Sequence, residues 1–340
     1  MALIHIEDLS KHFKILNRHE GLTGSFRDLF SRDYRTVKAV DGISFDIEPG
    51  EMVGYIGPNG AGKSTTIKMM TGILKQTSGT ILVNDHVPYE NRIRQAQIMG
   101  VVFGQRSQLW WDLPVIESFR ILKEIYKVDQ KSFDEHLALF DDLVGLSALY
   151  SQQVRTLSLG QRMLCDITVS FLHNPSVVFL DEPTIGLDVS VKAKIRSLIR
   201  ELNRVSNTTI ILTTHDLGDV EALCKRIIII DKGTILYDGS TDKVSQLFGV
   251  FRTLEVQVAD GDQGATDLIE ARLTERFGEE AAIMVRPKDE SWTAMTIDQA
   301  RIPLSDVLNF MMTTFPVDDV RIVEISMENV VQRIYEGALQ

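Results

Sequence analysis

Cysteine is almost missing from this sequence. Two residues in 340, Cys165 and Cys224, lie far apart, and neither has a Cys or His at ligand spacing. That excludes a disulfide scaffold and a zinc ribbon, and predicts two reduced, buried thiols. Positive charge is also in deficit: 36 Lys and Arg against 47 Asp and Glu leave a formal net charge of −11. A broad nucleic-acid surface needs clustered Lys and Arg, so no nucleic-acid partner is expected. Long apolar runs are lacking too, and none approaches the roughly 20 residues that cross a bilayer. The longest candidate, "RIIIIDKGTILYDG" near 226–239, reads as two short strands about a Lys232-Gly233 turn. The chain is therefore not itself expected to form a channel. Its opening, "MALIHIEDLSKHF", has no charged-then-apolar signal pattern, so a cytosolic chain is expected. Internal repeats and low-complexity tracts are not seen.

What is present suits a full globular core. Apolar residues make up 44% and charged residues 24%, and the length favours two domains or one with an appendage. Strand-like runs recur with helical stretches between them: "EMVGYIG" at 51, "TILVND" at 80, "SVVFLDE" at 176 and "TTIILTTH" at 208. The later runs are almost continuously apolar, as parallel strands covered on both faces must be. Between Pro114 and Leu149 the apolar spacing turns helical, which predicts an inserted helical subdomain at about 110–165. After about Ser240 the order becomes strand, helix, two strands, helix, strand and a final helix "MENVVQRIYEGAL", as in a small ferredoxin-like α+β domain over 250–340.

The stretch "GPNGAGKST", residues 57–65, carries the candidate chemistry. It fits G-x-x-x-x-G-K-[ST] at Gly57, Gly62, Lys63 and Ser64, after an apolar strand and before a helix-forming run. Glycines let successive N–H groups bend into one concavity for anionic oxygens, and the helix adds its positive end. Lys63 supplies a point charge to β- and γ-phosphates, and the Ser64 hydroxyl is placed for Mg²⁺. In "SVVFLDEPT" an apolar strand ends in Asp181 and Glu182, at the end where parallel sheets put their ligands. Asp181 suits Mg²⁺ through its water shell, and Glu182 suits a general base for water. Between these lies "TLSLGQRM", where Ser158 precedes a helical run expected to stop near Asn174, ahead of Pro175. A serine at a free helix start is both a cap and an anion site.

Those three motifs, in that order over residues 1–240, resemble the ATPase subunit of ABC transporters. The common signature there is Leu-Ser-Gly-Gly-Gln, and Leu159 replaces its first glycine. The resemblance implies an α/β fold: a P-loop ATPase core with an antiparallel β subdomain and the helical insert. It implies ATP and Mg²⁺ as cofactors, with ATP contacts over Gly57, Pro58, Asn59, Gly60, Ala61, Gly62, Lys63, Ser64 and Thr65. It also implies a head-to-tail second copy, whose Ser158, Gly160 and Gln161 cover the first copy's ATP. By the same resemblance Phe13 in "LSKHF" stacks on adenine, although read alone it would be a core residue. Gln105 in "VVFGQRS" reaches Mg²⁺ and the water, Asp188 in "PTIGLD" crosses the interface, and His215 ending "IILTTH" holds the γ-phosphate.

The implied partners are integral-membrane permeases, of one or two types, at the cytoplasmic face of a bacterial inner membrane. Trp110 and Trp111 in "SQLWWDLPVIESF" either line the groove for a permease helix or fill the helical subdomain. An insertion at about 18–37, overlapping "EGLTGSFRDLFSRDYRTVKAV" at 20–40, is expected to set Phe26, Leu29 and Phe30 on one helical face with Arg27, Arg32 and Arg35 nearby. With the signature and the C-terminal domain it resembles the viologen-exporter-type branch. The alternatives are an importer ATPase or a soluble ABC ATPase on a non-transport partner. The C-terminal domain carries no recognisable binding motif, which leaves dimer support, regulation or ligand sensing open.

Overall fold

The computed structural model describes residues 2–16, 34–104, 106–214, 216–248, 251–258, 265–278, 281, 283–289, 291–299 and 301–324. Most of the 18–37 insertion and the whole final helix expected at 327–339 lie outside these residues. The chain divides into two compact units, Met1–Gly239 and Ser240–Gln340.

The first unit opens with β1 (Ile4–Leu16) and β2 (Tyr34–Ile47), then β3 (Met52–Ile56), α1 (Lys63–Met70) and β4 (Ser78–Val83). β1 lies between β2 and β4 in a three-stranded antiparallel sheet, with Ile4 opposite both Ile47 and Val83. Next come α2 (Arg92–Ile98), β5 (Met99–Phe103), α3 (Val115–Tyr126), α4 (Gln130–Val144) and α5 (Leu159–Ser170). The unit closes with β6 (Val177–Asp181), α6 (Val189–Ser206), β7 (Thr209–Thr213), α7 (Leu217–Leu223), β8 (Arg226–Asp231) and β9 (Thr234–Ser240).

A six-stranded sheet in the order β5-β6-β7-β3-β8-β9 forms its centre, with the neighbours from β5 to β8 parallel. Every residue of β7 is buried, as is all of β6 before Asp181, because cover on both faces leaves no solvent side. Tyr55, Phe179 and Ile211 of this sheet and Ile67 of α1 share one core with Ile4, Ile47 and Ile81 of the antiparallel sheet. Lys232 and Gly233, both at positive φ, make the tight turn from β8 to β9.

The helical insert is punctuated by backbone chemistry. Lys127 ends α3 in the left-handed region, Asp129 caps α4 by accepting from the Ser132 N–H, and Gly145 ends α4 at φ 67. One expectation needs correction: α5 stops at Ser170, not near Asn174. The N–H groups of Phe171 and Leu172 turn back to the Thr168 and Val169 carbonyls, and Asn174 sits at φ 52. The chain thus leaves the helix through a turn before Pro175 can end it.

The second unit contains α8 (Thr241–Phe248), β10 (Phe251–Val258), α9 (Ala265–Phe277), β11 (Met284–Pro287), β12 (Trp292–Asp298), α10 (Leu304–Thr314) and β13 (Val317–Glu324). Its sheet has the antiparallel order β11-β12-β10-β13, the split β-α-β arrangement of ferredoxin-like folds. Leu254, Val256, Met295 and Ile297 bury one sheet face against Ile269, Leu273, Val307 and Met311 of the helices. Among the described residues no helix is long and apolar enough to cross a membrane.

Candidate functional site

The loop after β3 can hold its shape only with glycine at its corners. A Cβ on Gly57 would sit 2.4 Å from the Ile230 carbonyl oxygen. One on Gly62, at φ 112, would sit 2.5 Å from that of Ala39. The first N–H groups of a helix have no intrahelical partner, and Gly62, the N-cap of α1, supplies no side chain to cap them; Gly62 to Thr65 line a cleft. The helices that follow the two later motifs start differently. Ser158 and Gln161 close a reciprocal capping box on α5, at 3.2 Å and 2.9 Å. Asp188 caps α6 by accepting from the Val191 N–H at 3.0 Å, with the Ser190 hydroxyl donating at 2.7 Å, and both bonds lower its pKa. Of these three starts, that of α1 is the one without a side-chain cap.

Lys63 is only 8% exposed, and its ammonium donates to the carbonyls of Gly57, at 2.5 Å, and Pro58, at 3.1 Å. Burial pulls its pKa down, while the carboxylates of Glu182 and Asp181 push back up. Those acids arrive from the end of β6. Thr213, at the end of β7, donates its hydroxyl to Asp181 Oδ1 at 2.5 Å, and Gly104 N–H donates to the Asp181 carbonyl at 2.7 Å. Glu182 takes φ 57, unusual for a residue with a Cβ, and donates its N–H to the Thr213 carbonyl. A cleft of about 310 Å³ gathers Lys63, Ser64, Thr65, Asp181 and Glu182.

This donor set fits a magnesium nucleotide. Mg²⁺ prefers one or two protein oxygens together with substrate phosphates over an all-protein cage. The Ser64 hydroxyl and Asp181 carboxylate are such oxygens on one cleft. Among the described residues no group of three or more His, Cys, Asp or Glu could hold a metal alone.

The remaining sequence-derived positions fall elsewhere. Ser158, Gly160, Gln161 and Asp188 do not line the cleft. Gly160 packs so tightly that a Cβ would meet Val191 at 2.6 Å. Phe13 is also outside the cleft lining, yet it is 37% exposed, so it is not a core residue; the Lys11 ammonium lies 5.2 Å from its ring centre. Gln105 and His215 lie outside the described residues. Cys165 and Cys224 form no disulfide and are buried, and burial raises both thiols to about 12.

Some supporting residues escaped the sequence reading. Besides Thr213, the fully buried Asp219 accepts from the hydroxyls of Thr184 and Thr214 and pairs with Arg196. It thereby anchors the loop after Glu182 and the segment before position 215 to the same helix, α7. Only the acid's place a few residues beyond "IILTTH" could have signalled this.

Comparison with known proteins agrees with this arrangement. The family described as "ABC transporter" matches residues 40–185. The chain is 35% identical over 211 residues to the linearmycin resistance ATP-binding protein LnrL of Bacillus subtilis, covering 62% of this chain and 67% of that protein. It is 32% identical to the methionine import ATP-binding protein MetN 2 of Oceanobacillus iheyensis, covering 62% and 63%. ABC transporter A family member 1 of Dictyostelium discoideum is 32% identical over 67% of this chain, which spans only 26% of that longer protein. A solved structure of an ATP-binding subunit of an ABC transporter superposes with a TM-score of 0.60 at 24% identity, over 73% of this chain and 93% of that one. The chain belongs to the ABC transporter family, as an ATP-binding domain of the ATPase type whose ligands are ATP and Mg²⁺.

Proposed function

We propose that this chain is the ATP-hydrolysing subunit of a bacterial exporter, working at the cytoplasmic face of the inner membrane. The observation that carries the catalytic part is the shared cleft of Lys63, Ser64, Asp181 and Glu182. Lys63 and the N–H groups at the start of α1 hold the β- and γ-phosphates, and Ser64, Asp181 and Gln105 hold the metal. Bound Mg²⁺ offsets the negative charge of those phosphates. Glu182, fixed by its left-handed backbone at the cleft wall, accepts the proton of the attacking water, with His215 orienting that water. Phe13 stacks on the base from its exposed place on β1.

Two copies close head to tail around two nucleotides. Ser158, Gly160, Gln161 and Asp188 then serve the other copy's ATP, and Ser158, Gln161 and Asp188 keep their capping bonds, since a capped helix start still presents its dipole. The closed state is favoured only so far as ATP binds it better than the open one, so the output is mechanical and goes to permease subunits of one or two types. Trp110 and Trp111, both exposed, suit the contact with a permease helix. The outward direction is supported by the resistance protein among the relatives, because resistance gained by transport requires removal from the cell. Import is the second reading, favoured by the methionine import relative.

The test is Glu182→Gln in the full-length chain. Turnover should fall at least about a hundredfold, while ATP binding persists and light scattering in ATP shows the mass of a dimer. A variant that hydrolyses ATP at the wild-type rate would refute the general base, and one that stays monomeric in ATP would refute the sandwich.

A further inference from the structure

The middle of α5 holds an acid that the nucleotide chemistry does not use. Asp166 is 5% exposed and lies among the buried Met163, Leu164, Cys165 and Ile167. Among the described residues it makes no ion pair. Its Oδ1 accepts from the Ser107 hydroxyl at 3.0 Å and the Gln108 N–H at 3.1 Å, and its carbonyl accepts from the Gln108 side-chain amide at 3.1 Å. The Ser107 oxygen in turn accepts from the Leu109 N–H at 3.1 Å. One turn earlier on the same helix face, Arg162 lies over the Trp111 ring, 5.1 Å from its centre. The segment directly after Gln105 is therefore strapped to the signature helix at two points. Clefts of about 260 Å³ and 570 Å³ flank this strap, and Arg106, Ser107 and Asp166 line both.

A buried acid without an ion pair is a poor stabiliser, since desolvation opposes its charge; burial pushes Asp166 up to about 6 despite its two hydrogen bonds. An apolar side chain would suit that helix face better. What the carboxylate does provide is directional acceptance from a hydroxyl and a backbone amide together, which fixes where the strap lies.

We infer that Asp166 is a positioning residue, whose carboxylate locks Ser107–Gln108 to α5 so that displacement at Gln105 and displacement of the signature helix are one motion. The inference rests on the proposed roles of Gln105 and of the signature. It makes α5 a connecting rod: Ser158 and Gln161 at its start face the partner copy's ATP, and Asp166 further along holds the segment that leaves this copy's own Gln105. The side chain itself touches no nucleotide, so its loss should reduce the turnover rate and not nucleotide binding.

Three variants of the full-length chain test this: Asp166→Asn, which keeps one carbonyl acceptor, Asp166→Leu, which keeps none, and Ser107→Ala on the strap side. Steady-state ATP hydrolysis and exchange of the Gln108 amide are the readouts. Asp166→Leu should lower kcat about tenfold with KM for ATP within about twofold, and should speed Gln108 exchange. Asp166→Asn should restore most of both. If the leucine variant fails to fold, Ser107→Ala carries the test, with an expected loss of about threefold in kcat at unchanged KM. Wild-type kcat in a folded Asp166→Leu or Ser107→Ala variant whose Gln108 amide exchanges freely overturns the latch. So does an equal loss in the asparagine and leucine variants. A wild-type chain that does not hydrolyse ATP refutes instead the nucleotide reading on which the latch rests.

Discussion

The two larger sheets of this chain meet the same burial requirement in different ways. β6, β7 and β8 are apolar at successive positions because helices cover both faces, whereas β12 alternates between buried and half-buried because helices cover one. The difference determines where chemistry can gather. Parallel strands all end on one side, so the loop after β3, Asp181 of β6 and Thr213 of β7 emerge together and build a cleft. Neighbouring strands of an antiparallel sheet end on opposite edges, and the second unit shows no comparable convergence among its described residues. Among its described residues the one nearly buried acid, Glu255, is held by Lys288 at 2.6 Å.

Glycine substitutions should break the comparison most sharply. Gly62→Val meets a backbone oxygen at 2.5 Å from a left-handed residue, and should abolish measurable ATP binding, with a loss of at least about a hundredfold by calorimetry. Gly278 in the second unit also lies at positive φ, but nothing lies within 4 Å of its added Cβ. Gly278→Ala should cost about 1 kcal/mol and leave ATP affinity unchanged.

Core truncations sharpen it further. Leu180 on β6 and Leu254 on β10 are both fully buried, so either change to Ala should remove about 2–5 kcal/mol in urea unfolding. Only Leu180→Ala, next to Asp181, should also raise KM for ATP. Equal effects on KM would remove the functional contrast between the sheets.

Much of this was legible because local backbone rules carry it. "GPNGAGKST" declares a cradle since the bends need glycine at Gly57 and Gly62, and "SVVFLDE" declares a strand end by its abrupt change from apolar to acidic. The alternation from β10 to β13 in the second unit was legible, but α8 before it was not read, and the final helix expected there lies outside the described residues. What stayed hidden were long-range pairs. Thr213 to Asp181, Thr184 to Asp219 and Ser107 to Asp166 join segments that no local pattern links, although they set the positions of the acids and the strap. The end of α5 was misplaced for a related reason. Pro175 marks where a helix must stop, but the hydrogen bonds of Phe171 and Leu172 had already ended it.

Buried titratable groups give the smaller predictions, both within the first unit. Asp166 has a folded pKa of about 6 against an ordinary 3.8, so burial of its charge weighs against the fold fully above pH 6 and fades as pH falls toward 4. Asp166→Asn should therefore raise the melting temperature at pH 8 and raise it less at pH 5. His173 has the opposite sign. It stacks on Tyr126, donates Nε2–H to the Met99 carbonyl and is held down to about 4 by burial, against an ordinary 6.5. Its contribution is complete above pH 6.5 and is lost as pH falls toward 4. His173→Phe should flatten that part of the stability profile measured by urea unfolding between pH 7 and 5.

Phosphate release from ATP, with Mg²⁺ and with the metal chelated, compared between the wild-type chain and Lys63→Ala, tests the central claim most directly. The expected result is release by the wild type that needs Mg²⁺ and disappears in the variant. Release that continues in Lys63→Ala, or none from the wild type with Mg²⁺ present, would contradict it.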